Sequence, residues 1–220
     1  MNAKILPIGL LVLAVILSGC TQQSPPASQL SSSGANANMS CGSESLTKPL
    51  KEYALSLADL PADYTIDENS TGYNDVNSFQ TYPFTKTPIP KEKLAIGGLQ
   101  EVYSATFFVG EPNLNNRGLL SHELIKFTNA ELSKQYFGDS RDEIKKEIEP
   151  RPDLSQYIAI SDKGDECYAI KISWVYNSQF KIFLRTRNIV HIISLSTNDN
   201  ISIQSFLPYV DKIIEKTCSK

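Results

Sequence analysis

Residues 167–196, CYAIKISWVYNSQFKIFLRTRNIVHIISLS, decide the fold. Tyr168, Ile170, Ile172 and Trp174 alternate with Ala169, Lys171, Ser173 and Val175, the period of two that a strand imposes. Asn177-Ser178 supplies a turn, after which Phe180, Ile182 and Leu184 alternate with Lys181, Phe183 and Arg185. Arg187-Asn188 turns the chain again, and Ile189 to Ser196 runs back. The pattern predicts a three-strand antiparallel meander. Beyond it, Ile203, Phe206, Leu207, Val210, Ile213 and Ile214 mark the apolar stripe of a closing helix. Pro208 fits that helix freely only in its first turn.

Upstream of the meander the pattern is similar. Leu99 to Val109 and Leu119 to Phe127 read as two strands joined by a Gly/Pro/Asn turn from Gly110 to Gly118. Thr128 and Glu131 have capping-box spacing and open a helix that turns Leu132, Tyr136, Ile144 and Ile148 inward. Gly138-Asp139 is expected to kink or split it, and Pro150 and Pro152 end it. Nearer the start, Leu46, Leu50, Tyr53, Ala54 and Leu57 recur at helical spacing between Pro49 and Leu60-Pro61. The prediction is an α+β domain: an antiparallel sheet of hairpins, covered on one face by helices that include the C-terminal one. Segments 99–148 and 157–217 share a hairpin-then-helix order, but their side chains do not support a duplication.

Residues 64–97 fit no element. Tyr64, Tyr73, Phe79, Tyr82 and Phe84 lie among Pro83, Pro88, Pro90 and many polar residues. So long a connection within one domain is either functional or misassigned. Tyr73, Phe79 and Tyr82 are candidate ligand contacts, because aromatic side chains give contact area at low entropic cost. Capping of an open sheet face accounts for them equally well.

At the front, Lys4 precedes a 13-residue apolar run, Ile5 to Leu17, which is too short to span a bilayer and has the form of a secretory signal. The shortness, and the Ser/Gln/Pro run that follows at once, argue against an uncleaved membrane helix. The exit Leu17-Ser18-Gly19-Cys20 resembles the lipobox of prokaryotic lipoproteins. That resemblance implies removal of residues 1–19 by cleavage between Gly19 and Cys20, and acylation of the Cys20 sulfur. The chain would then be held on the cell membrane by lipid, palmitate included, facing the extracytoplasmic side. Residues 20–44, rich in Ser, Gln, Pro and Asn, have too little apolar surface to fold and form a disordered tether. Residues 45–220 make one globular domain.

Loss of Lys4 leaves 20 basic against 24 acidic side chains, a balance that argues against nucleic acid. Three cysteines then remain beside Cys20. Cys41, Cys167 and Cys218 allow three pairings, of which Cys41–Cys218 is preferred because domain ends tend to lie close together. Cys167 would then be a buried small hydrophobe. Asn38, Asn69 and Asn200 lie in Asn-x-Ser/Thr sequons.

From Leu60 onward the order of features resembles a class of extracytoplasmic α+β domains found in prokaryotic lipoproteins and the outer parts of some membrane kinases. Their fold is often compared with PsbP-like proteins. The matching pieces are Leu60-Pro61-Ala62-Asp63-Tyr64, the step from Lys126 to Glu131, the turn Gly164-Asp165-Glu166, and the hairpin Phe183 to Val190. The resemblance implies a sheet-and-helix binding or sensing module, usually without catalysis, and it transfers no functional residue.

Chemistry-bearing motifs are scarce. His122 and His191 both fall in strands, and a structural role is favoured for each. His122 and Glu123 point to opposite faces and cannot act on one atom. No nucleophile elbow, phosphate loop, dinucleotide fingerprint or His-Glu-x-x-His occurs, and no cofactor is implied. Arg185 and Arg187, with Lys181, form a small basic stripe that is a candidate anion contact; an ordinary solvated strand face is the alternative. Asp67, Asn69, Thr71 and Asp75 occupy positions one, three, five and nine of a calcium-loop pattern with Gly72 at six. Ser78 replaces the bidentate Glu at twelve, so a polar turn is preferred and no metal site is predicted.

Three functions compete. A non-catalytic, membrane-tethered module that binds a small ligand or an envelope protein comes first. An envelope structural or assembly lipoprotein, bridging partners through a strand edge, is the alternative. A cell-surface hydrolase would need a pocket gathering Asp162, Asp165, Glu166 or His191.

Overall fold

A computed structural model describes residues 41–76, 98–110, 118–173, 178–197 and 202–218. β1 (Tyr64–Ile66) and β2 (Gly72–Asn74) both pair with the long β3 (Leu99–Val109), which forms a hairpin with β4 (Gly118–Phe127). Helix α1 (Ala130–Ile148) leads to β5 (Ser155–Ile160), and β6 (Glu166–Ser173), β7 (Ser178–Thr186) and β8 (Ile189–Thr197) follow as an antiparallel meander. Helix α2 (Leu207–Cys218) closes the chain. The sheet runs β1-β3-β4-β8-β7-β6-β5, with β2 also on β3.

This order explains α1. The chain leaves β4 and must reach the far edge, four strand spacings or about 19 Å away, before the meander can carry β8 back beside β4. Nineteen helical residues rise about 28 Å. That is enough to cross the sheet obliquely, and α1 touches β4, β8, β7 and β5 on its way. Gly138 does not split it: one glycine costs about 1 kcal/mol, and Tyr136, Phe137, Ile144 and Ile148 bury the helix on both sides of it. The N-cap is Asn129, whose side chain accepts the Leu132 N–H at 3.0 Å. Thr128 is instead held to strand-side backbone, with its N–H on the Gly98 carbonyl at 2.7 Å.

The two helices lie on opposite faces, not on one as the sequence suggests. α1 packs on Val102, Ile125, Tyr168, Ile170, Phe183, Val190 and Ile192. There Tyr168 stacks on Phe183, with centroids 4.8 Å apart, and on Tyr157 at 5.4 Å, while Phe137 meets it edge-on. α2 packs through Val210, Ile213 and Ile214 on Phe107, Leu120, Leu124, Ile182, Leu184, Ile189 and Ile193. Runs such as Ile182-Phe183-Leu184 and Ile192-Ile193 are apolar at consecutive positions because both faces of these strands are buried. Pro208 sits in the first turn of α2, where its missing N–H costs nothing.

The α2 face has a second cover. Leu46, Leu50, Tyr53, Ala54 and Leu55 are all buried there, yet 46–57 is not a helix. It holds only single helical turns at Leu50–Glu52 and Leu57–Asp59. Sheet side chains and α2 take its backbone groups. The Leu46 N–H donates to Asn188 Oδ1 at 2.7 Å, the Leu55 N–H to His122 Nδ1 at 3.0 Å, and Lys216 Nζ donates to the Ala54 carbonyl at 2.8 Å. Tertiary partners override helical spacing.

Cys41 and Cys218 form the disulfide chosen from position, with Cα atoms 4.5 Å apart. Closing 177 residues is worth about 5 kcal/mol on the chain-entropy model. Beside it, Asn188 in the β7–β8 turn is 1% exposed and joins three segments. Its side chain accepts from Leu46 and donates to the Phe127 carbonyl at 2.8 Å, while its own carbonyl accepts the Phe127 N–H at 2.8 Å. Asn188→Ala leaves a buried donor and a buried acceptor unpaired and should lower unfolding free energy by about 2–4 kcal/mol. Asn129→Ala, an exposed cap, should lower it by about 1 kcal/mol. Urea titrations of both variants check this ranking.

Candidate functional site

The residues that carry chemistry fall into two groups on opposite faces of the sheet. On the α1 face, Arg185 is almost buried and faces two carboxylates: Nε lies 3.1 Å from Glu166 Oε1, and Nη1 lies 3.3 Å from Asp165 Oδ2. The β6–β7 register places Glu166 opposite Arg185, and the tight turn before β6 brings Asp165 alongside. Gly164 makes that turn possible. Its φ is +60°, and an added Cβ would lie 2.8 Å from the Arg185 carbonyl. Asp165 Oδ2 also accepts the Arg187 N–H at 2.5 Å, fixing a turn in which Arg187 has φ of +55°. The Arg187 side chain donates to the Cys41 carbonyl. The basic stripe is therefore engaged within the fold, and Arg187 ties the turn to the disulfide.

From this cluster a shallow groove of about 360 Å³ runs along α1. Lys134, Gln135, Asp139, Arg141, Asp142 and Glu166 are among its lining residues. Arg141 reaches Glu166 at 3.5 Å and Asp142 at 3.6 Å. Charges of both signs face one another across an open channel, an arrangement that screens itself in water.

On the α2 face, His122 and His191 are fully buried and bonded to each other, Nε2 to Nδ1, at 3.1 Å. The chain of bonds has one direction. The Leu55 N–H can only donate, so His122 Nδ1 is bare and its neutral ring carries the proton on Nε2. That proton is donated to His191 Nδ1, and His191 Nε2–H in turn donates to Thr186 Oγ1 at 2.7 Å. Burial holds His191 down at about 3. Burial first, then the His191 ring and Lys216, hold His122 well below its ordinary value. The pair is a neutral polar strut. Each ring replaces an aliphatic side chain, His122 between Leu120 and Leu124, and His191 between Ile189 and Ile193. That apolar flanking at i±2 was the available signal; their mutual contact depends on strand register and was not legible.

The hydrolase set is consequently divided. Asp165 and Glu166 meet Arg185 on the α1 face, His191 is sealed on the other, and Asp162 is exposed in the turn before β6. In the calcium-like segment, the Thr71 hydroxyl accepts the Thr106 N–H at 3.0 Å, and Asp67 Oδ1 accepts the Asn69 N–H at 3.2 Å. These bonds make 67–71 a turn that plugs the β3 edge between β1 and β2. Among the described residues no group of three His, Cys, Asp or Glu side chains is placed to hold a metal ion. Tyr73 is 53% exposed and meets Tyr103 edge-on at 5.0 Å. Phe79, Tyr82, Gly19 and Cys20 lie outside the described residues. Cys167 is free and half-buried against the α2-face core, and burial pushes its thiol up.

No protein-family model matches the chain. No curated protein matches it. Among solved structures, the extracellular domain of PknH from Mycobacterium tuberculosis is similar, with 12% identity and a TM-score of 0.47 over 80% of this chain and 98% of that one.

The histidine strut has a pH consequence. Unfolded histidines titrate near 6.5, whereas these stay neutral in the fold. The unfolded chain therefore binds more protons below that value, and stability falls as pH falls from about 6.5 toward 3. Unfolding free energy should drop by about 2–3 kcal/mol between pH 7.5 and 5.5, and by about half as much in His191→Gln. Urea titration at the two pH values measures it.

Proposed function

We propose that the chain is a lipid-anchored lipoprotein whose domain faces the extracytoplasmic side and acts as a non-catalytic binding module. The Cys41–Cys218 bridge is the observation that carries this reading. Disulfides of this kind persist outside the cytoplasm, and this one sits where the chain would pass from tether to domain. The Leu17-Ser18-Gly19-Cys20 exit supplies the anchor: two acyl chains hold a protein stably on a membrane, where one holds it only marginally. Among the described residues no helix is long and apolar enough to cross a membrane.

The non-catalytic part of the proposal draws on the division of candidate groups between two faces. Asp165 and Glu166 neutralise Arg185, and the histidines neutralise nothing but bond to each other. Binding would then fall to surfaces, and among the described residues Tyr73 is an exposed candidate contact.

Anchoring is tested by labelling cells with radioactive palmitate. Label should enter the wild-type chain and be lost from Cys20→Ser; equal labelling of both contradicts the anchor. Tyr73 is tested by Tyr73→Ala, which should shift the unfolding free energy by no more than about 1 kcal/mol, because only the cross-strand ring contact with Tyr103 is lost. A larger loss assigns Tyr73 to the core and removes it from the binding surface.

A further inference from the structure

The two edges of the sheet are built differently. On one, β1 and β2 are three residues each and are flanked by Asp63, Asp67 and Glu68, and the gap between them on β3 is filled by Thr71 and the Asp67 N–H. Short strands and charge are the usual means of blunting an edge. The other edge has neither. β5 is six residues long, and Leu154-Ser155-Gln156-Tyr157-Ile158-Ala159-Ile160 contains no charge and no proline. Among the described residues β5 pairs with β6 alone.

Which backbone groups face outward follows from one bond. The Ser173 N–H donates to the Leu154 carbonyl at 2.8 Å, and Ser155 stands opposite Ile172. Antiparallel pairing alternates, so Gln156, Ile158 and Ile160 turn their backbone groups to β6, as does the Leu154 carbonyl, while the Leu154 N–H goes to the Arg151 carbonyl at 3.1 Å. Ser155, Tyr157 and Ala159 turn theirs outward. The Ser155 N–H is taken by the Arg151 carbonyl at 3.1 Å. The N–H groups of Tyr157 and Ala159, and the carbonyls of Ser155, Tyr157 and Ala159, remain on the open edge.

We propose that β5 is the contact edge of a twofold homodimer, paired antiparallel with β5 of a second copy about Tyr157. The groups on the edge are self-complementary. Each Tyr157 N–H meets the partner copy's Tyr157 carbonyl, and each Ala159 N–H meets its Ser155 carbonyl, giving four hydrogen bonds. In the same register the exposed Leu154 (49%) lies opposite Ile160 of the other copy, a residue of the α2-side core. Within the paired segment no like charges are opposed, because the strand itself carries none. The two sheets join into one continuous sheet.

The full-length chain, purified in mild detergent, tests this by light scattering on a sizing column. Twice the monomer mass is expected, and Ala159→Pro should raise the dissociation constant at least tenfold with an unchanged circular dichroism spectrum. Proline there removes an outward N–H and none of the bonds to β6. Register is read separately. Under oxidation, Ser155→Cys/Ala159→Cys should form interchain dimers, and neither single variant should, since each cysteine faces the other position across the twofold. This readout decides the matter should the proline variant fail to fold. A wild-type chain that stays monomeric at all concentrations, a folded Ala159→Pro variant that still dimerises, or single variants that crosslink as well as the double overturns the proposal. Dimers that form only after addition of an extended foreign peptide do the same. None of these outcomes depends on acylation of Cys20.

Discussion

A sheet that is apolar on both faces must be covered twice, and the way the second cover is fastened determines most of this structure. One face receives α1, a regular helix that satisfies its own backbone and has only to bury side chains. The other receives α2 together with 46–57, a segment with almost no regular structure. A buried irregular segment needs partners for its N–H and C=O groups, and here side chains of the sheet and of α2 provide them. Asn188 takes Leu46, His122 takes Leu55, and Lys216 reaches Ala54. The Cys41–Cys218 bond fixes the two ends of that cover to each other.

This arrangement gives structural work to residues that would otherwise read as chemistry. The two histidines sit in the core because the Leu55 amide needs an acceptor, and the acceptor needs a neutral neighbour. Arg185 and its two carboxylates hold the Gly164 turn against the β7–β8 turn, and Arg187 passes the connection on to Cys41. Burying an ion pair contributes little net stability, whereas removing one partner leaves an uncompensated charge. Such a cluster specifies geometry more than it supplies energy. Among the described residues, Tyr73, the mixed-charge groove along α1 and the β5 edge are features that this structural work leaves open.

The parts legible in the sequence were those where local and global demands agree. The β3–β4 hairpin, the span of α1, the meander and α2 all follow from period and turn residues, and the disulfide followed from the position of the termini. Other features were hidden because distant residues create them, β1 and β2 on the β3 edge and the histidine contact among them. Segment 46–57 has helical spacing, but its donors are claimed by side chains 142 and 67 residues away. β5 is a short apolar run just after two prolines, and becomes a strand only because β6 lies beside it. The covering of both faces was signalled by Ile182-Phe183-Leu184 and Ile192-Ile193, which alternation alone obscures. Of the candidate site, Arg185, Asp165 and Glu166 were each visible, but the ion cluster they form needed the β6–β7 register.

The central claim is that the irregular cover is locked to the sheet by specific polar bonds, and amide hydrogen exchange of the full-length protein tests it residue by residue. The account predicts that the Leu46 and Leu55 amides, though outside regular helix or strand, exchange as slowly as amides in β4 and β8. Exchange of these two amides at the rate of the exposed turn at 67–71 would contradict it.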